Sequence, residues 1–243
     1  MNFRHLCVFD LETSSPDKRD CQIIQIAGAI IDDRRLKILD TFNSWIKPNP
    51  NAIGYDEKTI QWHADVRGIP IQEFLDMINA APAIDAVWPI WVKWVEKYNK
   101  SKGNKSTFNA PIAAGYNING FDIPIIDRYC KKRGPWNEKK EINTLFNPIY
   151  KYDLLQHMWF WTENIADKEV KTKLKLADNV KLWMGFSQED IEAAHDALQD
   201  TLDVAKIMIK IFNAQRFLTQ ENPSTGLPRL QMKDAFKHET CEV

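Results

Sequence analysis

Ile23-Ile24-Gln25-Ile26-Ala27-Gly28-Ala29-Ile30-Ile31 is an almost continuous apolar run. A segment this short and this apolar reads as a β-strand buried on both faces. A polar loop from Thr13 to Asp20 precedes it, and Asp32-Asp33-Arg34-Arg35 makes a turn after it. Upstream lies a second short apolar run, Cys7-Val8-Phe9-Asp10-Leu11-Glu12-Thr13. Downstream, Leu36 to Ile46 reads as a third strand that stops before Pro48. Three sequential strands joined by short turns are most simply antiparallel.

Helical periodicity follows. Glu57 to His63 and Ile71 to Asn79 are short helix candidates. Ile84, Val87, Trp88, Trp91, Val92, Val95 and Tyr98 make a broad stripe at helical spacing, read as core packing rather than a base-stacking platform. Asn99 to Asn104 is a Lys/Ser/Gly/Asn loop. Pro111 to Tyr116 is a further strand, and the helix through Ile125, Ile126 and Tyr129 is stopped by Gly134-Pro135. Ile149 to Leu154 is the candidate fifth strand, Leu174 to Met184 a helix closed by Gly185, and Ala197 to Phe212 the last strong helix. In that helix Leu198, Leu202, Ala205, Ile209 and Phe212 are assigned to the core.

At 243 residues, 44% of them hydrophobic, the chain can bury one sizeable α/β core, and no linker or internal repeat divides it. Cys7, Cys21, Cys130 and Cys241 are scattered, with no Cys-x-x-Cys and no paired Cys/His spacing, which argues against a zinc site. With no secretory leader, they point to reduced thiols in a cytoplasmic compartment. No apolar run is long enough to span a bilayer. A net charge of −1 is not that of a general nucleic-acid coating protein. Cations nevertheless cluster at Lys97, Lys100, Lys102 and Lys105, at Lys131-Lys132-Arg133, at Lys139-Lys140, and from Lys168 to Lys181. Such a patch either steers a phosphate polymer toward an acidic site or is simply a solvated face.

Asp10 and Glu12 close the first strand two residues apart, so both carboxylates can share one face of a sheet edge. Two anions side by side cost free energy unless a cation neutralises them, and a divalent metal with oxygen ligands is the simplest remedy. Later, His195-Asp196-Ala197-Leu198-Gln199-Asp200 opens the last helix. Residues five apart on a regular helix diverge by about 140°, so His195 and Asp200 cannot converge if both are interior. Asp196 as N-cap with Gln199 three residues on fits a capping box. His195 then lies just outside the helix, its ring free to swing toward the face carrying Asp200. Each pattern alone is common in chains with no site. Here Asp10-x-Glu12, Asn117 to Asp122 and His195 to Asp200 occur together and in order.

This set closely resembles the DEDDh subgroup of 3′–5′ exonucleases, which contains proofreading exonucleases, exonuclease I, RNase T and oligoribonuclease. The matching residues are Phe9-Asp10-Leu11-Glu12-Thr13, Gly115-Tyr116-Asn117-x-x-x-Phe121-Asp122 and His195-x-Ala197-x-x-Asp200. Supporting similarity extends to Gln22 through Ala27, Tyr152 through Leu155 and Leu174 through Gly185. The resemblance implies an α/β, RNase H-like fold: a five-stranded mixed sheet, its first three strands antiparallel, flanked by helices. It places an exonuclease domain over 1–214 and a tail over 215–243 that docks loosely or is disordered. The sibling subgroup that uses Tyr instead of His needs Tyr four residues before the last Asp; position 196 is Asp, which excludes it.

The same resemblance implies that Asp10, Glu12, Asp122 and Asp200 bind two Mg²⁺ or Mn²⁺ ions, with Asp10 bridging the pair. His195 is then the general base that draws a proton from the attacking water. Thr13 and the Leu11 backbone contact the terminal nucleotide, Asn117 orders the motif-two turn or touches substrate, and Phe121 is core. The expected activity is hydrolysis of the 3′-terminal phosphodiester of nucleic acid to nucleoside 5′-monophosphates. Single-stranded DNA is favoured because Tyr116 stands where many relatives have His, as in exonuclease I-like members. An exoribonuclease acting on RNA or short oligonucleotides is the runner-up. A catalytically silent module binding nucleic acid or a polymerase is the reading from a different class.

Overall fold

The computed structural model describes residues 4–101, 106–163 and 196–219, with the single positions 176 and 185. Strands β1 (Leu6–Thr13), β2 (Ile23–Ile31) and β3 (Ile38–Trp45) form the antiparallel meander that the turn residues predict. Strand β4 (Ile112–Gly115) adds in parallel to the other side of β1. A two-residue pair, β5 (Trp136–Asn137) and β6 (Ile142–Asn143), stands apart, and β7 (Lys151–Asp153) joins β4 in parallel. The main sheet thus has the order β3-β2-β1-β4-β7, the mixed five-stranded arrangement expected from the resemblance. The helices are α1 (Glu57–Val66), α2 (Ile71–Ala80), α3 (Ile84–Glu96), α4 (Asp122–Arg133), α5 (Leu154–Glu163) and α6 (Ala197–Thr219). No described helix is long and apolar enough to cross a membrane.

Alternation along β1 divides the core. Cys7, Phe9 and Leu11 pack with Trp88 and Trp91 of α3 and Ile123 and Ile126 of α4. Leu6 and Val8 point the other way, into Leu154 and Met158 of α5 and Val204, Ala205, Met208 and Ile211 of α6. Every residue of β2 is buried, as its unbroken apolar run requires. Asp10 and Glu12 have the parity of Leu6 and Val8, so they continue the α6 face to the end of the strand. A third cluster, Ile24 with Ile60, Ala64, Phe74 and Ile78, seats α1 and α2 near that same end.

The elements depart from the sequence reading in the fifth strand, the third strand and α6. The fifth strand is shorter than Ile149 to Leu154, because Asn147 Oδ1 accepts the N–H groups of Ile149 and Tyr150 and turns the chain there. The third strand starts at Ile38, after Leu36 takes a left-handed φ of 51°. In α6 the buried row includes Ala197, Thr201, Val204, Ala205, Met208 and Ile211, while Leu198, Leu202, Ile209 and Phe212 are only half-buried. Small side chains at Ala197, Thr201 and Ala205 let the helix approach the sheet, so it is rotated relative to its most apolar stripe. Asp200 then lies about 60° from the Ala197–Val204 direction, flanking the sheet contact. Finally, α6 runs past Phe212 to Thr219. Arg216 secures those extra turns by donating to the carbonyl oxygens of Asp33 and Arg34. The Leu174 to Met184 helix and the tail from Asn222 lie outside the described residues.

Gly28 is where α3 comes down on β2: a Cβ there would lie 2.8 Å from Trp91 and 2.9 Å from Trp94. Rigid indoles cannot yield without moving the helix. Gly28→Ala is expected to cost about 1–3 kcal/mol, seen as a lower urea midpoint at unchanged m-value. An unshifted midpoint would show that the indoles move aside freely.

Candidate active site

Four acids reach one edge of the sheet from three elements. Asp10 and Glu12 end β1, Asp122 is the first residue of α4, and Asp200 lies in the first turn of α6. The turn that delivers Asp122 begins at Gly115, where a Cβ would sit 2.3 Å from Ile118 and 2.8 Å from the Phe9 carbonyl oxygen. Asn117 follows in a left-handed conformation, φ 58°, which its short polar side chain tolerates. The buried carboxylate of Asp153 then accepts the N–H of Asn117 at 2.9 Å and that of Asn119 at 3.0 Å. Its Oδ1 also accepts the N–H of Leu155 at 3.1 Å, so one side chain ties the turn to the start of α5.

Asp196 caps α6, accepting the N–H groups of Leu198 at 3.0 Å and Gln199 at 3.2 Å. Gln199 donates its amide to Asp203 Oδ1 one turn on. Gln25 of β2 sits opposite Glu12 in the ladder and reaches the same cap. Its Nε2 donates to Asp196 Oδ2 at 2.9 Å, and its Oε1 accepts the Ala197 N–H at 3.3 Å. His195 precedes this cap in sequence and lies outside the described residues.

The acids repel one another. Burial first, then the charges of Asp122, Glu12, Asp200 and Asp196, hold the Asp10 carboxyl well above the usual range. Burial likewise raises Asp122, against the pull of the Asp122 and Leu11 backbone N–H groups. Burial pushes Glu12 up to about 7, opposed by Arg67 and assisted by Asp200 and Asp196. Among the described residues no three His, Cys, Asp or Glu side chains are grouped so as to hold a metal ion; Glu12 leans instead toward His63 and Arg67. The donor chemistry still fits a hard cation. All four groups offer oxygen, and Asp122 Oδ1 is buried with no hydrogen-bond partner.

His63 of α1 and Arg67, the C-cap of that helix, border Glu12, and the sequence reading assigned neither. Arg67 Nη2 lies 3.4 Å from Glu12 Oε1, and His63 Nδ1 lies 3.6 Å from Oε2. His63 Nε2 is 2.9 Å from the Thr13 carbonyl oxygen and must donate to it, which leaves Nδ1 to accept from Arg67 Nη1 at 3.3 Å. The Arg67 guanidinium is held over the rings of Trp45 and Phe74 at 5.2 and 5.5 Å. Their signal was the helical spacing of Ile60, His63, Ala64 and Arg67, which puts both polar groups beside the buried row.

Beside the acids is a recess of about 420 Å³ lined by Leu11, Thr13, Lys58, Trp62, His63 and Phe121. Leu11 and Thr13, the expected nucleotide contacts, both line this recess. Phe121, expected in the core, is half-buried and walls this recess: its apolar ring packs on the core from outside. An aromatic-walled recess next to clustered carboxylates can hold a planar ring with a phosphate beside the acids.

No family model matches the sequence, and no curated protein matches it. Solved structures do. Cell-death related nuclease 4 superposes with a TM-score of 0.59 at 20% identity, over 88% of this chain and 65% of that one. The nuclease domain of 3′hExo, a DEDDh family member bound to rAMP, gives 0.55 at 13% identity, over 87% and 93%. The chain has the fold of the DEDDh 3′-exonucleases. A zinc-bound E. coli exonuclease I complex with single-stranded DNA gives 0.60 at 15% identity, covering 88% of this chain and 41% of that protein. This chain thus spans 65% of the first of these and less than half of exonuclease I.

Carboxyls raised by folding favour the protonated form in the native state. The stability they contribute is complete below about pH 4 and is lost as pH rises through the Glu12 value of about 7. In EDTA, Tm should therefore fall between pH 5.5 and 8, and Asp10→Asn should raise Tm at pH 8. A thermal melt that instead climbs over this interval, or an Asp10→Asn protein less stable than wild type at pH 8, contradicts the repulsion.

Proposed function

We propose that the chain is a metal-dependent 3′–5′ exonuclease that hydrolyses the 3′-terminal phosphodiester of nucleic acid to nucleoside 5′-monophosphates. The observation that carries this reading is the gathering of Asp10, Glu12, Asp122 and Asp200 beside a nucleotide-sized recess, with Asp10 driven upward by burial first and by the other acids second. Asp10, Glu12, Asp122 and Asp200 would hold two Mg²⁺ or Mn²⁺ ions, which when bound supply charge neutralisation to the attacking and leaving oxygens of an in-line displacement. Leu11 and Thr13 seat the terminal nucleotide, with Trp62 and Phe121 as stacking surfaces. Asn117 acts through the turn that it shapes. His195, adjoining the Asp196 cap in sequence, takes the proton from the attacking water.

Single-stranded DNA is the favoured substrate, on the strength of Tyr116 and the single-stranded DNA held by exonuclease I in its complex. RNA is the second reading, favoured by the same fold in a 3′-exonuclease that recognises a histone mRNA stem-loop.

A gel time course on end-labelled single-stranded DNA, duplex DNA and RNA, with Mg²⁺, Mn²⁺ or EDTA, tests activity, polarity and sugar preference together. Stepwise shortening from the 3′ end is expected with metal and none with EDTA. Circular and 3′-phosphorylated strands should resist; rapid loss of circles would identify an endonuclease. His195→Ala should lower turnover by about 10²–10⁴-fold, while Mg²⁺ or Mn²⁺ still raises its Tm. Unchanged turnover removes His195 from the mechanism. A wild-type melt indifferent to both metals removes the metal site.

A further inference from the structure

A second groove, of about 580 Å³, lies on the α3/α4 side of the sheet. Its walls carry Lys47, Arg128, Lys132 and Arg133, against the carboxylates of Asp20 and Asp85. Asp85 is already paired, 2.8 Å from Arg133 Nε. Lys47 and Lys132 have no carboxylate partner among the described residues. Arg128 donates Nη2 to the Cys21 carbonyl oxygen and keeps Nε buried with no hydrogen-bond partner. On a chain with a net charge of −1, this is a local excess of positive charge held in a concave surface. Part of the lining is apolar: Pro48, Ile84 and Ile53, the last with 84% of its surface exposed.

Cationic walls over a partly apolar floor match a phosphodiester strand better than a small inorganic anion. Phosphates take the cations while sugars and bases cover the apolar surface. Position supports the same ligand. The β1–β2 loop borders the acidic site and the groove alike. Pro16 lines the recess beside Glu12 and also a shallow hollow with Lys18, Arg19 and Phe121, and Asp20 and Gln22 line the groove itself. Cations therefore border the path from Lys58, beside the acids, past Lys18 to Lys47 and Lys132, while the Arg19 charge is taken up by Asp17. We infer that the groove holds the sugar–phosphate backbone of a nucleic-acid strand, upstream of the 3′ end engaged by the acids. The placement of this strand upstream of the 3′ end rests on the exonuclease reading above; the binding of a strand does not.

The test is Lys47→Glu/Lys132→Glu, with Lys47→Gln/Lys132→Gln as a milder pair should charge reversal impair folding. Anisotropy of a dye-labelled single-stranded 20-mer in EDTA, across a KCl series, reads the groove without any turnover. The reversed variant should bind about tenfold or more weakly, and the slope of log K against log salt should shrink by about 1.4, for two single-strand phosphate contacts. With Mg²⁺, KM for the 20-mer should rise while kcat/KM for a trinucleotide stays unchanged. Unchanged 20-mer binding overturns the inference. So does an equal loss for 20-mer and trinucleotide, or equal competition by polyglutamate, which would mark a general anion surface. If neither protein cuts any strand, yet 20-mer binding still falls in the variant, the exonuclease reading fails and the groove stands.

Discussion

The amide of Gln25 is buried inside the sheet and partnered at both ends, donating to Asn43 Oδ1 and Asp196 Oδ2 and accepting from the Ala197 N–H. A buried amide left without partners is costly, so its place on β2 dictates where the first turn of α6 must lie. Apolar packing alone would not do this, because a helix resting on small side chains can slide or turn with little change in buried area. Gln25 stands opposite Glu12, so the contact that fixes α6 also sets Asp200 against the acids of β1.

That placement assembles charges that oppose assembly. Asp10, Glu12 and Asp122 are each raised by burial, and the neighbouring acids add to it. What holds the edge together lies on either side: the aromatic core under Phe9, the α6 face under Val8, and the α1 cluster that brings Arg67 to Glu12. Arg67 opposes the rise of the Glu12 carboxyl, and two aromatic rings keep it there. The local electrostatics are unfavourable and the surrounding scaffold is overdetermined, as expected of a site that recruits a cation.

Much of this was legible in the sequence, for reasons that can be named. The unbroken apolar run of β2 and its polar turns declare a central strand in a meander, and the α3 stripe declares its packed face. Strand parity sets Asp10 beside Glu12 and the helix cap locates the turn that carries Asp200, whereas Asp122 and the grouping of all four acids come through the resemblance to the DEDDh exonucleases. Contacts without a local signal were missed. Asp153 acts on N–H groups more than thirty residues away in sequence. Arg67 meets Glu12 only through the α1 cluster, and Phe121 is apolar whether it fills a core or walls a recess. The rotation of α6 was misread because Ala197, Thr201 and Ala205 carry little hydropathy, although their small size decides which side faces the sheet.

The alternation along β1 also bears on how such a chain tolerates change in length. Phe9 and Leu11 serve one layer of the protein, and Asp10 and Glu12 extend the other. Inserting or deleting one residue between Leu6 and Asp10 would exchange the two sets, sending carboxylates toward Trp88 and aromatic rings toward Asp200. Length variation among chains built on this plan should therefore collect in segments such as 99–105, and the spacing within β1 should stay constant even where its side chains differ.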